Sequence, residues 1–310
     1  GQPVICSTGG LIVKEMDKVV SFLQHRGVHF ALMHCVAMYP TPTDKFHLNQ
    51  IETMRDRYPG ITIGFSTHED PSNLTAIKLA YAKGARIFEK HIGVADGDIK
   101  LNAYSANPAQ AEAWLAAWQE AVAVCGFGPE RAISEKEIAD LDSLKRGVYL
   151  KKPIQQGFVI NKADVFFAMP LQAGQLASGQ WRDNLIADRT YEVNQPVNVA
   201  VAPKTRSKKD IIYSTIHAVK GMINNSKIPL SHDFMVEISH HYGVERLHEV
   251  GCILIVCINR EYAKKLIIQL PGQRNPVHYH KKKDETFQLL HGTLDVEIDG
   301  KLKTLQAGDA

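Results

Sequence analysis

The sequence predicts an α/β fold followed by β-rich domains, and three observations carry that expectation. Strand-type and helix-type apolar patterns alternate four times within residues 1–130. Short strands and Gly turns fill residues 143–197, and residues 210–310 are again strand-rich.

The first repeat pairs Val4-Ile5-Cys6-Ser7 with a segment in which Met16, Val19, Val20 and Leu23 recur at helical spacing. The next β-rich runs are 30–36, 61–66 and 86–92, each followed by an amphipathic stretch, one of them marked by Leu74, Ile77, Lys78 and Tyr81. Gly27 and Gly84 stand where left-handed helix C-caps are wanted. Such a repeat makes a parallel sheet, doubly wound or closed into a barrel, and a barrel collects its active site at the C-terminal ends of its strands. Ser7, Tyr39, Ser66, His68 and His91 are the polar residues expected there. Four units are half of an eight-unit barrel, and Gly1 leads straight into an apolar run, so the other half is expected upstream of Gly1.

Ser134-Glu135-Lys136-Glu137 is a helix-capping signal that precedes the second region, and the polar stretch 203–209 reads as a linker to the third. Turns are expected at Pro271-Gly272 and Asp299-Gly300. A last turn at Ala307-Gly308-Asp309 leaves this domain expecting more chain beyond Ala310.

Composition excludes several classes. The apolar fraction is 45% and the charged fraction 22%, ordinary for a soluble protein, and no apolar run nears the ~20 residues that span a bilayer. A net charge of +3 is too weak to imply nucleic acid. The five cysteines (Cys6, Cys35, Cys125, Cys252 and Cys257) form no CxxC pair, against a disulfide framework or zinc knuckle, and a reducing cytoplasm is the expected location.

The stretch from His34 to Pro42 (HCVAMYPTP), then Gly64-Phe65-Ser66-Thr67-His68, then Glu89-Lys90-His91 fall at successive strand ends behind Ser7-Thr8-Gly9. In that order they resemble the last four strand ends of the sialic acid synthase family, the N-acetylneuraminate synthases, which condense phosphoenolpyruvate with an aldose. The resemblance runs from Gly1 to about Val197. It implies the C-terminal half of a (β/α)8 TIM barrel in which His68 and His91 hold a divalent metal, commonly Mn2+. It also implies that Ser7 and Ser66 bind the phosphate and that Tyr39 lines the sugar site, with Asn102 and Ser105 near positions that contact an amino sugar. The residue types suit that chemistry: neutral imidazole ligates a borderline metal with positions left open for substrate, and hydroxyls donate to phosphate oxygens. Ala37 and Asn102 depart from the family's usual polar contacts.

Residues 143–197 resemble the SAF, or antifreeze-like, domain of these synthases, a small β-clip-like fold. The matches are Leu144-Lys145-Arg146-Gly147, then Leu150-Lys151-Lys152-Pro153-Ile154, Gln156-Gly157 and Ile160. In a family homodimer this domain caps the partner's barrel and lends an arginine to the sugar's N-acyl group; Met169 stands at that position here. Gly272, His278, His280, Glu285 and Gly292 fit the first cupin motif. Period-2 spacing would put His278 and His280 on one strand face of a partial cupin β-barrel, where with Glu285 they would ligate a second divalent metal. Asn259 to Lys265 resembles the strand pair before that motif.

The expected activity is a metal-dependent condensation of phosphoenolpyruvate with an aldose to a nonulosonic acid and phosphate. A sugar-binding or regulatory protein, with a degenerate barrel and a sugar-sensing or isomerase-type cupin, is the alternative.

Overall fold

The structure is a computed structural model. It describes residues 2–98, 100–126, 128, 130–200, 206–230, 234–279, 281–282 and 285–310, and it divides into two compact units, Gly1–Leu144 and Lys145–Ala310.

In the first unit β1 (Val4–Ser7), β2 (Phe30–Cys35), β3 (Thr62–Thr67) and β4 (Ile87–Lys90) form a four-stranded parallel sheet in the order β1-β2-β3-β4. Each strand joins beside its predecessor without the reversal about the first strand that marks a doubly wound sheet, so the order is that of a barrel. Helices α1 (Val13–His25), α2 (Asn49–Arg57), α3 (Thr75–Ala82) and α4 (Pro108–Cys125) follow the four strands in turn.

Strand alternation explains which face the helices cover. Cys6, Leu32, Ile63, Phe65 and Phe88 pack with helical Met16, Val20, Ile51, Met54 and Ala80 in one apolar cluster. Fully burying each large side chain there is worth roughly 1.5–3 kcal/mol. The opposite face carries Ser7, Met33 and Gly64 in register, and one layer nearer the strand C-termini Cys35, Ser66 and Glu89. Gly64 is required: a Cβ there would collide with the Met33 sulfur and lie 2.7 Å from the Ile87 carbonyl oxygen.

Gly27 and Gly84 end α1 and α3 with φ of +64° and +109°, as expected of helix C-caps. Asn107 and Gln110 cap α4 reciprocally, with N···O distances of 2.9 and 3.0 Å. The helix α5 (Glu135–Leu144) starts as its capping signal predicts, the Ser134 hydroxyl accepting from the Glu137 amide at 3.1 Å.

In the second unit β5 (Gly147–Leu150) pairs with β7 (Val165–Ala168), and β6 (Val159–Ile160) with β8 (Leu185–Ile186). Val148, Leu150, Ile160, Val165, Leu176 and Tyr191 form its first core. The helix α6 (Lys208–Ser226) departs from expectation, for it begins inside the stretch expected to be linker. Ser207 caps it, accepting from the Asp210 amide at 3.1 Å, and Val219, Met222 and Ile223 pack against Ile253, Ile255 and Ile268. Those isoleucines belong to a three-stranded antiparallel sheet of β9 (Met235–Ser239), β10 (Cys252–Asn259) and β11 (Ala263–Ile268), with β10 central. The expected strand pair around Asn259–Lys265 is the β10–β11 hairpin. A second hairpin, β12 (Thr293–Ile298) and β13 (Lys301–Gln306), turns at Asp299-Gly300 as predicted, both residues at positive φ.

The strand expected to carry His278 and His280 on one face is corrected by the structure: residues 275–279 are in no strand. Pro276 removes a ladder donor, and the His278 side chain is exposed rather than turned into a barrel interior. His280 lies outside the described residues, as do positions 203–205 of the expected linker.

Candidate active site

His68 and His91 each stand just beyond the C-terminal end of a strand, β3 and β4, and two residues after Ser66 and Glu89 of the same sheet face. Period-2 alternation therefore brings both imidazoles to the face away from the helices. The loop after β2 folds back and clamps the first of them: the Thr41 amide donates to the His68 carbonyl at 2.9 Å, and His68 Nδ1 lies 3.2 Å from the Val36 carbonyl oxygen. A carbonyl can only accept, so the proton is assigned to Nδ1 and the Nε2 lone pair is left for a ligand. His68 is 5% exposed, and that burial holds its imidazole below the ordinary histidine value; the bond to Val36 opposes the shift and the charge of His91 adds to it.

The two imidazole centroids are 5.1 Å apart. Tyr39, carried by the clamping loop and 56% exposed, packs on His68 at 4.3 Å. Tyr104 closes the group, edge-on to His91 at 5.0 Å and to His68 at 5.9 Å, and 5.3 Å from Tyr39. Tyr104 escaped sequence reading because its loop has no period. The loop is tied to the end of β4 by an Ile92–Ala106 bridge, in which the Ala106 amide donates to the His91 carbonyl at 2.9 Å and the Gly93 amide to Ala106 at 3.0 Å.

The expected residues therefore divide. His68, His91 and Tyr39 are brought together; Ser66 is buried one layer below on the same face. Ser7 is in register across β2 with Gly64, one layer below Ser66 on the same face. Its hydroxyl accepts from the Gly9 amide at 3.4 Å, and Ala37 packs where a Gly9 side chain would stand, 3.5 Å away. Asn102 is exposed, its carbonyl accepting from the amide of buried Ser105 at 3.2 Å in the loop of Tyr104. His34 turns to the helices and is structural, with Nε2 2.7 Å from the Phe46 carbonyl oxygen.

Two further features were missed although their residues lay inside the motifs or next to them. Glu89 is an exposed carboxylate in register with Ser66, and its charge favours the protonated form of His68. Glu69 and Lys90, the neighbours of His68 and His91, point the other way and form an ion pair at 3.0 Å with both side chains 1% exposed. Lys90 Nζ also donates to the Glu69 carbonyl at 3.2 Å, while Glu69 Oε2 has no hydrogen-bond partner among the described residues.

The donor set suits a divalent cation held by few protein ligands. One imidazole nitrogen is freed by the Val36 bond and a second imidazole faces it, while among the described residues no group of three or more His, Cys, Asp or Glu side chains converges that could hold a metal. A cation here would keep positions for oxygen ligands from substrate or water. In the third region His278 is exposed with Nδ1 3.0 Å from the Pro276 carbonyl, and Glu285 is exposed too. No helix among the described residues is long and apolar enough to cross a membrane.

Residues 1–128 match the NeuB family. The N-acetylneuraminate-9-phosphate synthase of Drosophila melanogaster is 36% identical over 90 residues, 29% of this chain and 24% of that protein. The spore coat polysaccharide biosynthesis protein SpsE of Bacillus subtilis is 26% identical over 194 residues, 56% of this chain and 50% of that protein. The crystal structure assigned to spore coat polysaccharide biosynthesis protein E of Chromobacterium violaceum superimposes with a TM-score of 0.56 at 45% identity, covering 63% of this chain and 59% of that one. The chain thus spans between 24% and 50% of these curated relatives' lengths.

Proposed function

We propose that the protein is a synthase that condenses phosphoenolpyruvate with an aldose to give a 2-keto sugar acid and inorganic phosphate. The observation that carries this reading is the facing pair His68 and His91 at the C-terminal ends of neighbouring parallel strands, 5.1 Å apart, in a segment matching the NeuB family. A divalent cation held by these two imidazoles, Mn2+ in our reading, would supply Lewis-acid polarisation of the aldehyde. Ser66 and Ser7 bind phosphate oxygens through their hydroxyls, and Tyr39 holds the sugar. The phosphoenolpyruvate methylene carbon bonds to the aldehyde carbon, whose oxygen takes a proton; water adds at the enol carbon, and the bond from that carbon to the phosphate oxygen breaks.

In this reading the first region is part of a TIM barrel, residues 143–197 are a SAF domain that caps the barrel of a second copy, and residues 210–310 are a cupin. The whole protein is expected to release phosphate from phosphoenolpyruvate only when an aldose and a divalent cation are both present. Phosphate release that persists undiminished in excess EDTA overturns the metal assignment.

Substrate choice follows from the exposed, apolar Met169, which offers no charged donor to an N-acyl group. An apolar contact discriminates by only about 1–3 kcal/mol. N-acetylmannosamine is therefore expected to be preferred over other aldoses by less than about a hundredfold in kcat/KM, with Met169→Arg raising that preference. A larger preference in the unaltered protein assigns the acyl contact to other residues.

A further inference from the structure

Tyr104 is the ring of the four-ring cluster that no expected role absorbs. It is set across both imidazoles, at 5.0 and 5.9 Å with interplanar angles of 86° and 84°, and opposite Tyr39 at 5.3 Å. It is partly buried, and its place is fixed from both directions. The Ile92–Ala106 bridge ties its loop to β4, and Ser105, its neighbour, is buried and closes a turn onto Asn102. A ring that only shielded the histidines could as well be phenylalanine. Yet both tyrosines carry a hydroxyl that has no hydrogen-bond partner among the described residues. Two phenols with free hydroxyls, flanking two imidazoles, offer apolar faces for C–H groups and polar tips for hydroxyls, which is the mixed chemistry of a polyhydroxylated chain.

We infer that Tyr104 is a specificity residue for the aldose, forming the wall of the sugar site opposite Tyr39 and hydrogen bonding a sugar hydroxyl through its phenol. This rests on the synthase reading for the identity of the sugar-consuming reaction. The phosphate end of the site, at Ser7 and Ser66 lower on the sheet face, is untouched by it.

The test compares unaltered protein with Tyr104→Phe and Tyr104→Ala, using N-acetylmannosamine and mannose separately, with KM measured for each sugar and for phosphoenolpyruvate and Mn2+ affinity measured by electron paramagnetic resonance. Loss of one hydrogen bond should raise the sugar KM roughly fivefold in Tyr104→Phe, and loss of the wall should raise it further in Tyr104→Ala. The phosphoenolpyruvate KM and Mn2+ affinity should stay within about twofold in Tyr104→Phe. An unchanged sugar KM in both variants, or equal rises for sugar and phosphoenolpyruvate, overturns the inference while leaving the synthase reading intact. Absence of phosphate release by the unaltered protein sinks the synthase reading, and the inference is then judged by saturation-transfer NMR of the same two sugars. Saturation transfer that is present in the unaltered protein and vanishes in Tyr104→Ala sustains it. Transfer of equal strength in Tyr104→Ala, or none in the unaltered protein, refutes it.

Discussion

A His68→Ala, His91→Ala double variant is expected to lose Mn2+ binding and to slow phosphate release by on the order of a thousandfold, the several kcal/mol that Lewis-acid stabilisation contributes. Both imidazoles leave together because either alone could retain a weakly held cation. His68 is buried, but its ring meets the Val36 carbonyl and other rings rather than the apolar cluster under the helices. The variant should therefore keep its circular dichroism and urea midpoint near those of the unaltered protein. Mn2+ titration followed by electron paramagnetic resonance reads the metal separately from turnover. Retained tight Mn2+ binding, or full turnover, in a folded double variant assigns the metal elsewhere.

The second large effect is on stability. Glu69 and Lys90 bridge the segments that end in His68 and His91 from the helix side of the sheet, and both side chains are 1% exposed. Removing one partner of such a pair leaves a buried charge uncompensated, a loss of about 3–5 kcal/mol. Lys90→Met is expected to fall in that range by urea denaturation. Replacing both partners with apolar residues of similar size, Glu69→Leu with Lys90→Met, should recover more than half of the loss, since a buried ion pair and a well-packed apolar pair are often close in energy. A Lys90→Met loss below about 1 kcal/mol would mean that water reaches the pair. Because each partner is chain neighbour to one histidine, the single variant should also weaken Mn2+ binding, whereas the double should restore part of it.

What could be read from the sequence follows from which forces are local. Short β-rich runs placed β1 to β3 within about a residue of the strands observed. The run 86–92 is longer than the strand it marks because, among the described residues, the chain beyond Lys90 pairs with no neighbouring strand and Ile92 is held by the bridge to Ala106. His68, His91 and Tyr39 were legible as strand-end residues in motif context. Tyr104 was not, since its position depends on a bridge between residues 14 apart in a loop without period.

Other features carry signals in the sequence that weaker neighbours obscure. The apolar stripe Ile211, Ile212, Thr215, Val219, Met222 and Ile223 has helical spacing, but the charged run before it reads as linker and hides the helix start. The parity of Lys90 relative to Phe88 puts it on the helix face, where a lysine must find a buried partner. In the third region the motif from Gly272 to Gly292 was legible as a pattern, but Pro276 and the exposed side chains beside it form no strand.

The central claim is that a carbon–carbon bond forms between phosphoenolpyruvate and an aldose at the histidine pair. The whole protein incubated with [3-13C]phosphoenolpyruvate, Mn2+ and an aldose should convert the enol methylene resonance into an aliphatic methylene coupled to the former aldehyde carbon's proton, one equivalent for each phosphate released. Phosphate release accompanied only by [3-13C]pyruvate, with no new carbon–carbon bond for any aldose supplied, would contradict it.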